Sequence, residues 1–255
     1  MLIWKKIVVL VAAALLLAGV FVLAACSQEP EPTPVAMTAE EAALEQATLP
    51  PIIIAALEGD DLLPFEVAET ENVFDLRGLT VTINTYATVG EQHAAIANGQ
   101  ADALLTDMVD AALLYDRGTA VWVVTATRNL TAAESESSVA ATPTATTLHQ
   151  TLFETPVEFT TQRMLAFNVD FLYGNTAAGK TVSPEIAAQA VDVLLSALGQ
   201  AVGQMDAATP GLEDYPMPDL PDREQNEELL RWLYNHQHIS QEIGYDDLTF
   251  IPNAP

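Results

Sequence analysis

The stretch Pro51-Ile52-Ile53-Ile54-Ala55-Ala56-Leu57 decides the fold. It is apolar at every position after its opening proline and only long enough for a strand, the form taken by strands covered on both faces of a parallel sheet. Downstream, strand and helix signals alternate. Phe65 to Phe74 reads as a short helix ended by Asn72, a residue that tolerates the left-handed C-cap. Leu79-Thr80-Val81-Thr82-Ile83 is a β-rich strand. Glu91 to Asn98 is a helix closed by Gly99, Ala101 to Leu105 a strand, Val109 to Asp116 a helix closed by Gly118, and Ala120 to Thr125 a strand. This order predicts an α/β fold, a mostly parallel sheet with right-handed crossovers and helices on both faces.

The alternation stops at Arg128. Asn129 to Gln162, 34 residues, is a Ser, Thr, Ala and acid stretch of low complexity (Ala133-Glu134-Ser135-Glu136-Ser137-Ser138, Thr142-Pro143-Thr144-Ala145-Thr146-Thr147) with too little apolar content to bury a core of its own. Order returns at Met164-Leu165-Ala166-Phe167, a strand. A long helix follows, with Ser183 as N-cap and Pro184 at the first helical position; Ile186, Ala190, Leu194, Leu198 and Val202 mark its buried face. A last helix starts at Asp222, with Gln225 at capping-box spacing, and carries Leu229, Leu230, Trp232 and Leu233. Residues 51–128 thus form the first part of a lobe, 129–162 a connection, and 163–255 the strand and helices that complete it.

Upstream, residues 26–50 hold Cys26 and then Ser27-Gln28-Glu29-Pro30-Glu31-Pro32-Thr33-Pro34-Val35-Ala36-Met37, a stiff Pro/acid tether, before Thr38 and Glu41, which have the spacing of a capping box for a short helix to Ala47. Residues 1–25 have the three parts of a signal peptide: basic Lys5 and Lys6, an apolar run from Ile7 to Ala25, and small residues before the cut. The run is nearly long enough to be a permanent membrane span. Against that stands Cys26, directly after Leu23-Ala24-Ala25, which resembles the lipobox of bacterial lipoproteins. That resemblance implies cleavage before Cys26, acylation of its thiol, and a protein exported and held to a bilayer on the periplasmic or outer side. Two or three acyl chains anchor stably, at about 0.8 kcal/mol per buried methylene. Cys26 is the only cysteine, which excludes an internal disulfide and a Cys-based metal site.

The chain carries 35 acidic and nine basic residues, and removal of Lys5 and Lys6 with the leader takes the net charge from −26 to −28. Nucleic acid is excluded as a partner, because phosphate recognition needs a basic face.

Four segments, taken in order, resemble the solute-binding proteins of ABC importers for sulfonates, nitrate and thiamine-pyrimidine precursors, of type II periplasmic-binding-protein fold. They are Pro64-Phe65-Glu66-Val67-Ala68-Glu69 with Phe74, where Asn72 replaces a usual glycine; Ala94-Ala95-Ile96-Ala97-Asn98-Gly99-Gln100-Ala101-Asp102-Ala103, followed by the pocket loop Thr106-Asp107-Met108; Arg163 to Phe171; and Trp232 to Leu248 with Tyr245-Asp246-Asp247-Leu248. The resemblance implies a membrane-tethered receptor for a small organic solute, working with an ABC permease and without a cofactor. It also implies a second α/β lobe between the crossing and return strands. A domain of ordinary size does not fit in the 34 residues found there, so the chain reads as one lobe with the second missing.

Ligands of open α/β sheets bind at the carboxyl ends of the strands. Three loops converge there, offering Pro64, Phe65 and Glu66; Tyr86, Ala87 and Thr88; and Thr106, Asp107 and Asp110. Phe65 and Tyr86 are placed to stack a flat ring and Glu66 and Asp107 to accept its N–H groups, which favours a nitrogen heterocycle or amine over a sulfonate. The alternative is that the aromatics plug the sheet edge and the acids face water. Arg128, by the crossing strand, is a candidate for an anionic group or a surface residue.

No Gly-x-Ser-x-Gly motif or glycine-rich phosphate loop is present, and His93, His149, His236 and His238 lie in polar sequence surroundings, so an enzyme is not expected. His236 and His238, two apart, point to different sides of a helix and read as a solvated helix end rather than a chelate. The rival to solute binding is a single-lobe scaffold or protein-interaction module.

Overall fold

The computed structural model describes residues 48–58, 62–129, 162–205 and 212–250. The leader, Cys26, the tether with its Thr38 helix, and the low-complexity connection lie outside these residues.

Five strands form one sheet in the order β2-β1-β3-β5-β4: β1 (Ile52–Leu57), β2 (Val81–Tyr86), β3 (Ala103–Thr106), β4 (Val121–Asn129) and β5 (Gln162–Asn168). β1 pairs in parallel with β2 and β3, whereas β5 runs antiparallel between β3 and β4. Four strands therefore share one direction, and the return strand separates β4 from its sequence neighbour β3. Helices cover both faces: α1 (Leu63–Thr70), α2 (Val73–Leu76), α3 (Val89–Ala97), α4 (Met108–Asp116), α5 (Val169–Leu172), α6 (Pro184–Gln204), α7 (Arg223–Asn235) and α8 (Tyr245–Leu248).

The two-residue period of the strands sorts their side chains between two cores. Ile52, Ile54, Ala56, Ala103, Leu105, Leu165 and Phe167 meet α1, α2, α5 and α6. Ala55, Leu104, Met164 and Ala166 meet α4, α7, α8 and Ile96 of α3. This two-sided burial is why β1 can be apolar throughout.

The caps follow from short polar side chains. Thr88 and Glu91 close a reciprocal capping box on α3, Asp107 Oδ1 accepts the Asp110 amide at the start of α4, and Ser183 and Asp222 accept the amides of Ile186 and Gln225. Between α1 and α2, Asn72 takes φ 56°, the left-handed turn that a glycine would make without strain. Asn72→Gly is expected to hold or slightly raise stability and Asn72→Val to lower it by about 1–2 kcal/mol, read by urea unfolding.

The two edges of the sheet differ. β4 is covered at one end by Thr249 and Phe250, whose backbone pairs with Val123, and further along by Asp219, whose carbonyl accepts the Ala126 amide at 2.8 Å. β2 is the other edge strand, and it carries no charged side chain.

Candidate functional site

The carboxyl ends of β1, β2 and β3 gather as expected at one end of the sheet, but the mouth there is largely filled by the protein itself. β1 and β3 pair only at Ile54↔Ala103 and Ala55↔Leu104 and then part. Gln92, reaching in from α3, fills the gap: its Nε2 donates to the carbonyls of Ala55 at 3.1 Å and Leu105 at 2.8 Å, so both hydrogens of one amide close the crevice. No local pattern marks this role, since a glutamine on a helix reads as a surface residue.

Thr106, Asp107 and Asp110 are brought together and are 1%, 2% and 1% exposed, so these acids do not face water. Beside them His93 sits buried, its Nε2 3.3 Å from Asp110 Oδ1. The periodicity of α3 turns His93 inward together with Gln92 and Ile96, so its polar neighbours are buried side chains rather than water. Buried charges are kept where they are paired or hydrogen-bonded, so this knot of polar side chains is an organised feature.

The other sequence candidates divide. Phe65 is 1% exposed and packs in the α1/α6 core with Ala68 and Phe74, and Pro64 is buried beside it; the ring is therefore not free to stack a solute, because the first turn of α1 aims it under the sheet. Glu66 is exposed on α1, Tyr86 is half-buried at the end of β2, and Thr88 is committed as the cap of α3. Arg128 lies within β4, which runs to Asn129 because β5 pairs with it to the end. Its guanidinium is 3.8 Å from Asp214 and 5.6 Å from the centre of the Tyr215 ring.

Sequence reading missed Arg163. It is 8% exposed, opens β5, and stands directly opposite Arg128 in the β4–β5 ladder, with Asn129 and Gln162 joined by a 3.0 Å hydrogen bond one step further. Two of the seven basic residues that follow Lys6 thus face each other. The available signal was their position, one on each strand flanking the low-complexity stretch.

The Gly99-Gln100-Ala101-Asp102 turn is structural. Gly99 takes φ 64° at the end of α3, and the buried Asp102 carboxylate accepts the amides of Ile53 at 2.7 Å and Ala177 at 2.6 Å. Burial pushes its pKa up, opposed by those two hydrogen bonds.

His236 and His238 depart from simple helix spacing. The turn at Gln237, φ 61°, brings the rings to 6.3 Å between centres and near-parallel, both against Trp232. Burial and neighbouring His236 push the His238 pKa down. Among the described residues no three His, Cys, Asp or Glu side chains are grouped to hold a metal. A surface cavity of about 660 Å³ beside them is lined by Asp116, Tyr234, Asn235, His238 and Ser240, remote from the mouth.

No protein-family model matches the chain, and no curated protein does. Solved structures do. A putative sulfonate ABC transporter periplasmic sulfonate-binding protein, SsuA, from Methylobacillus flagellatus KT is 10% identical with a TM-score of 0.50 over 80% of this chain and 92% of that one. The alkanesulfonate-binding protein SsuA from Xanthomonas axonopodis pv. citri bound to MOPS is 9% identical with a TM-score of 0.49, over 80% and 99%. The ligand-binding component of an ABC-type import system from Staphylococcus aureus with zinc bound is 10% identical with a TM-score of 0.48, over 78% and 96%. At these identities the likeness is one of fold. The described residues of this chain have the α/β fold of one lobe of a periplasmic binding protein.

Proposed function

We propose that this chain is an extracytoplasmic solute-binding lipoprotein, anchored through acylated Cys26, that presents one α/β lobe to a small organic solute and to the permease of an ABC importer. The observation that supports the solute reading is that Thr106, Asp107 and Asp110 come together at the carboxyl end of β3, the end where open α/β sheets take their ligands, with Tyr86 at the same end of the β2 edge and Arg128 toward that end of β4 on the opposite edge. Its acids favour a nitrogen heterocycle or amine over a sulfonate, with the Tyr86 ring as the surviving aromatic wall and Glu66 at the rim. Binding, not catalysis, is the role such a mouth suits.

Thermal-shift screening of the full chain against sulfonates, pyrimidines, amines and amino acids tests this: one class is expected to raise the melting temperature, and silence across all four would contradict the reading. Asp107→Asn keeps the cap of α4 but removes the charge, and is expected to weaken an amine ligand about tenfold or more.

A second reading, a single-lobe scaffold that contacts a partner protein, is favoured by the burial of Thr106, Asp107 and Asp110 and by the Gln92 bridge across the crevice. The anchor is tested separately. Cys26→Ser is expected to abolish acylation, seen by mass spectrometry, and to stop the protein fractionating as a lipoprotein; unchanged mass and membrane retention would point to an uncleaved span instead.

A further inference from the structure

An open sheet edge is a row of unpaired amides and carbonyls, and proteins normally blunt it with charge, proline, a bulge or a covering segment. β4 is blunted: its register is broken between Val123 and Thr125 and between Ala126 and Arg128, and Thr249, Phe250 and Asp219 cover its outer side. β2 has none of these devices. It carries no charge and no proline, pairs with β1 in unbroken register and, among the described residues, has no backbone partner on its outer side. The carbonyls of Thr80 and Tyr86 accept the amides of Ile52 and Glu58 on the β1 side. Such groups alternate along a strand, so Val81, Ile83 and Thr85 turn their amides and carbonyls outward. Val81 and Ile83 are only half-buried, whereas Ile52 and Ile54, their partners on β1, are fully buried.

We infer that β2 is a homodimer interface, pairing antiparallel with β2 of a second copy across a two-fold axis at Ile83. The strand is complementary to itself. With Ile83 opposite Ile83 of the second copy and Val81 opposite its Thr85, every facing pair exchanges two hydrogen bonds, and the three outward amides and three outward carbonyls of each copy are all satisfied. Any other antiparallel register leaves part of that row unpaired. The same alignment brings β-branched side chains together on the face where Val81 and Ile83 already pack against the core, and sets Thr82 against Asn84 on the other face. Charge favours this edge as the place where two copies meet. With 35 acidic residues against nine basic ones, the copies repel over most of their surfaces and approach at least cost along a strand without charge. Leu76, 80% exposed and the most exposed large apolar side chain described, lies just ahead of this strand at the end of α2.

Sedimentation equilibrium of the full chain in mild detergent tests the association. A reversible monomer–dimer equilibrium is expected, tightened by added salt as the acidic repulsion is screened. Ile83→Lys places two ammonium groups together at the axis and is expected to raise the dimer Kd at least about tenfold. Thr85→Pro removes an amide that bonds nothing within its own copy, so it is expected to weaken the dimer in the same way and leave the fold intact. Met217→Lys, at another exposed apolar side chain, is expected to leave the dimer unchanged. The register has its own readout, which stands even if those edge variants fold poorly. In a Cys26→Ser background Ile83→Cys is expected to form an intermolecular disulfide on mild oxidation, because facing Cα atoms of such a pair lie about 5.5 Å apart. Val81→Cys, about 14 Å from its own counterpart, is expected to stay reduced. A chain that stays monomeric to about 1 mM, a dimer that folded Ile83→Lys and Thr85→Pro leave intact, or Val81→Cys linking as readily as Ile83→Cys would each overturn the inference. None of these results bears on solute binding, which is read from ligands alone.

Discussion

Phe167→Ala is expected to lower the free energy of unfolding by about 3–5 kcal/mol, read by urea denaturation followed by circular dichroism. Phe167 is fully buried at the middle of the sheet, on β5 between Ala103 of β3 and Trp122 of β4, with the Phe171 ring at 5.1 Å. Truncation leaves a cavity between the sheet and α6 that backbone on three strands would have to collapse to fill, and close-packed interiors relax only partly. A loss below about 1 kcal/mol would mean that β5 is not packed as described.

The second large effect belongs to Asp102. Asp102→Ala strands two buried amides, those of Ile53 and Ala177, and is expected to cost about 2–5 kcal/mol. Asp102→Asn keeps an acceptor for only one of them and should fall between. The pH dependence has a definite sign. Burial raises the folded-state pKa of Asp102 above its unfolded value, so its protonated form is favoured by folding. Its contribution is fully present below the unfolded carboxylate pKa and is lost as pH rises through the raised folded value. Unfolding free energies of the wild type and Asp102→Asn, compared across the acid range, should therefore show the wild-type advantage shrinking as pH rises. An advantage that grows with pH would mean that the two amide hydrogen bonds outweigh burial.

What the sequence disclosed was local. The fully apolar β1, the Ser183 and Asp222 caps and the left-handed turn at Asn72 each depend on neighbours a few residues away, and each is found where the sequence predicts it; the Thr88-Glu91 box and the Asp107 cap are equally local, but Thr88 and Asp107 read in the sequence only as pocket candidates. Strand order was legible only in part. The return strand was expected, but its insertion between β3 and β4 is a choice made by pairing across the sheet, which no local period encodes.

The site divides along the same line. Thr106, Asp107 and Asp110 lie together, as their spacing predicts, because a strand end followed directly by a helix fixes their place. Phe65 was misplaced because an aromatic in the first turn of a helix looks the same whether it faces the core or the mouth. Gln92 and Arg163 were missed because their meaning arises only from partners 13 to 37 residues away for Gln92 and across the 128–163 pair for Arg163.

The most direct test of solute binding at this sheet end is a crystal structure of the chain grown with whichever solute most raises its melting temperature. The expected result is one molecule at the carboxyl end of the sheet, in contact with Asp107 and at least one of Arg128 and Arg163. A solute seated elsewhere, for example in the cavity lined by Asp116 and Ser240, would contradict the assignment of the site.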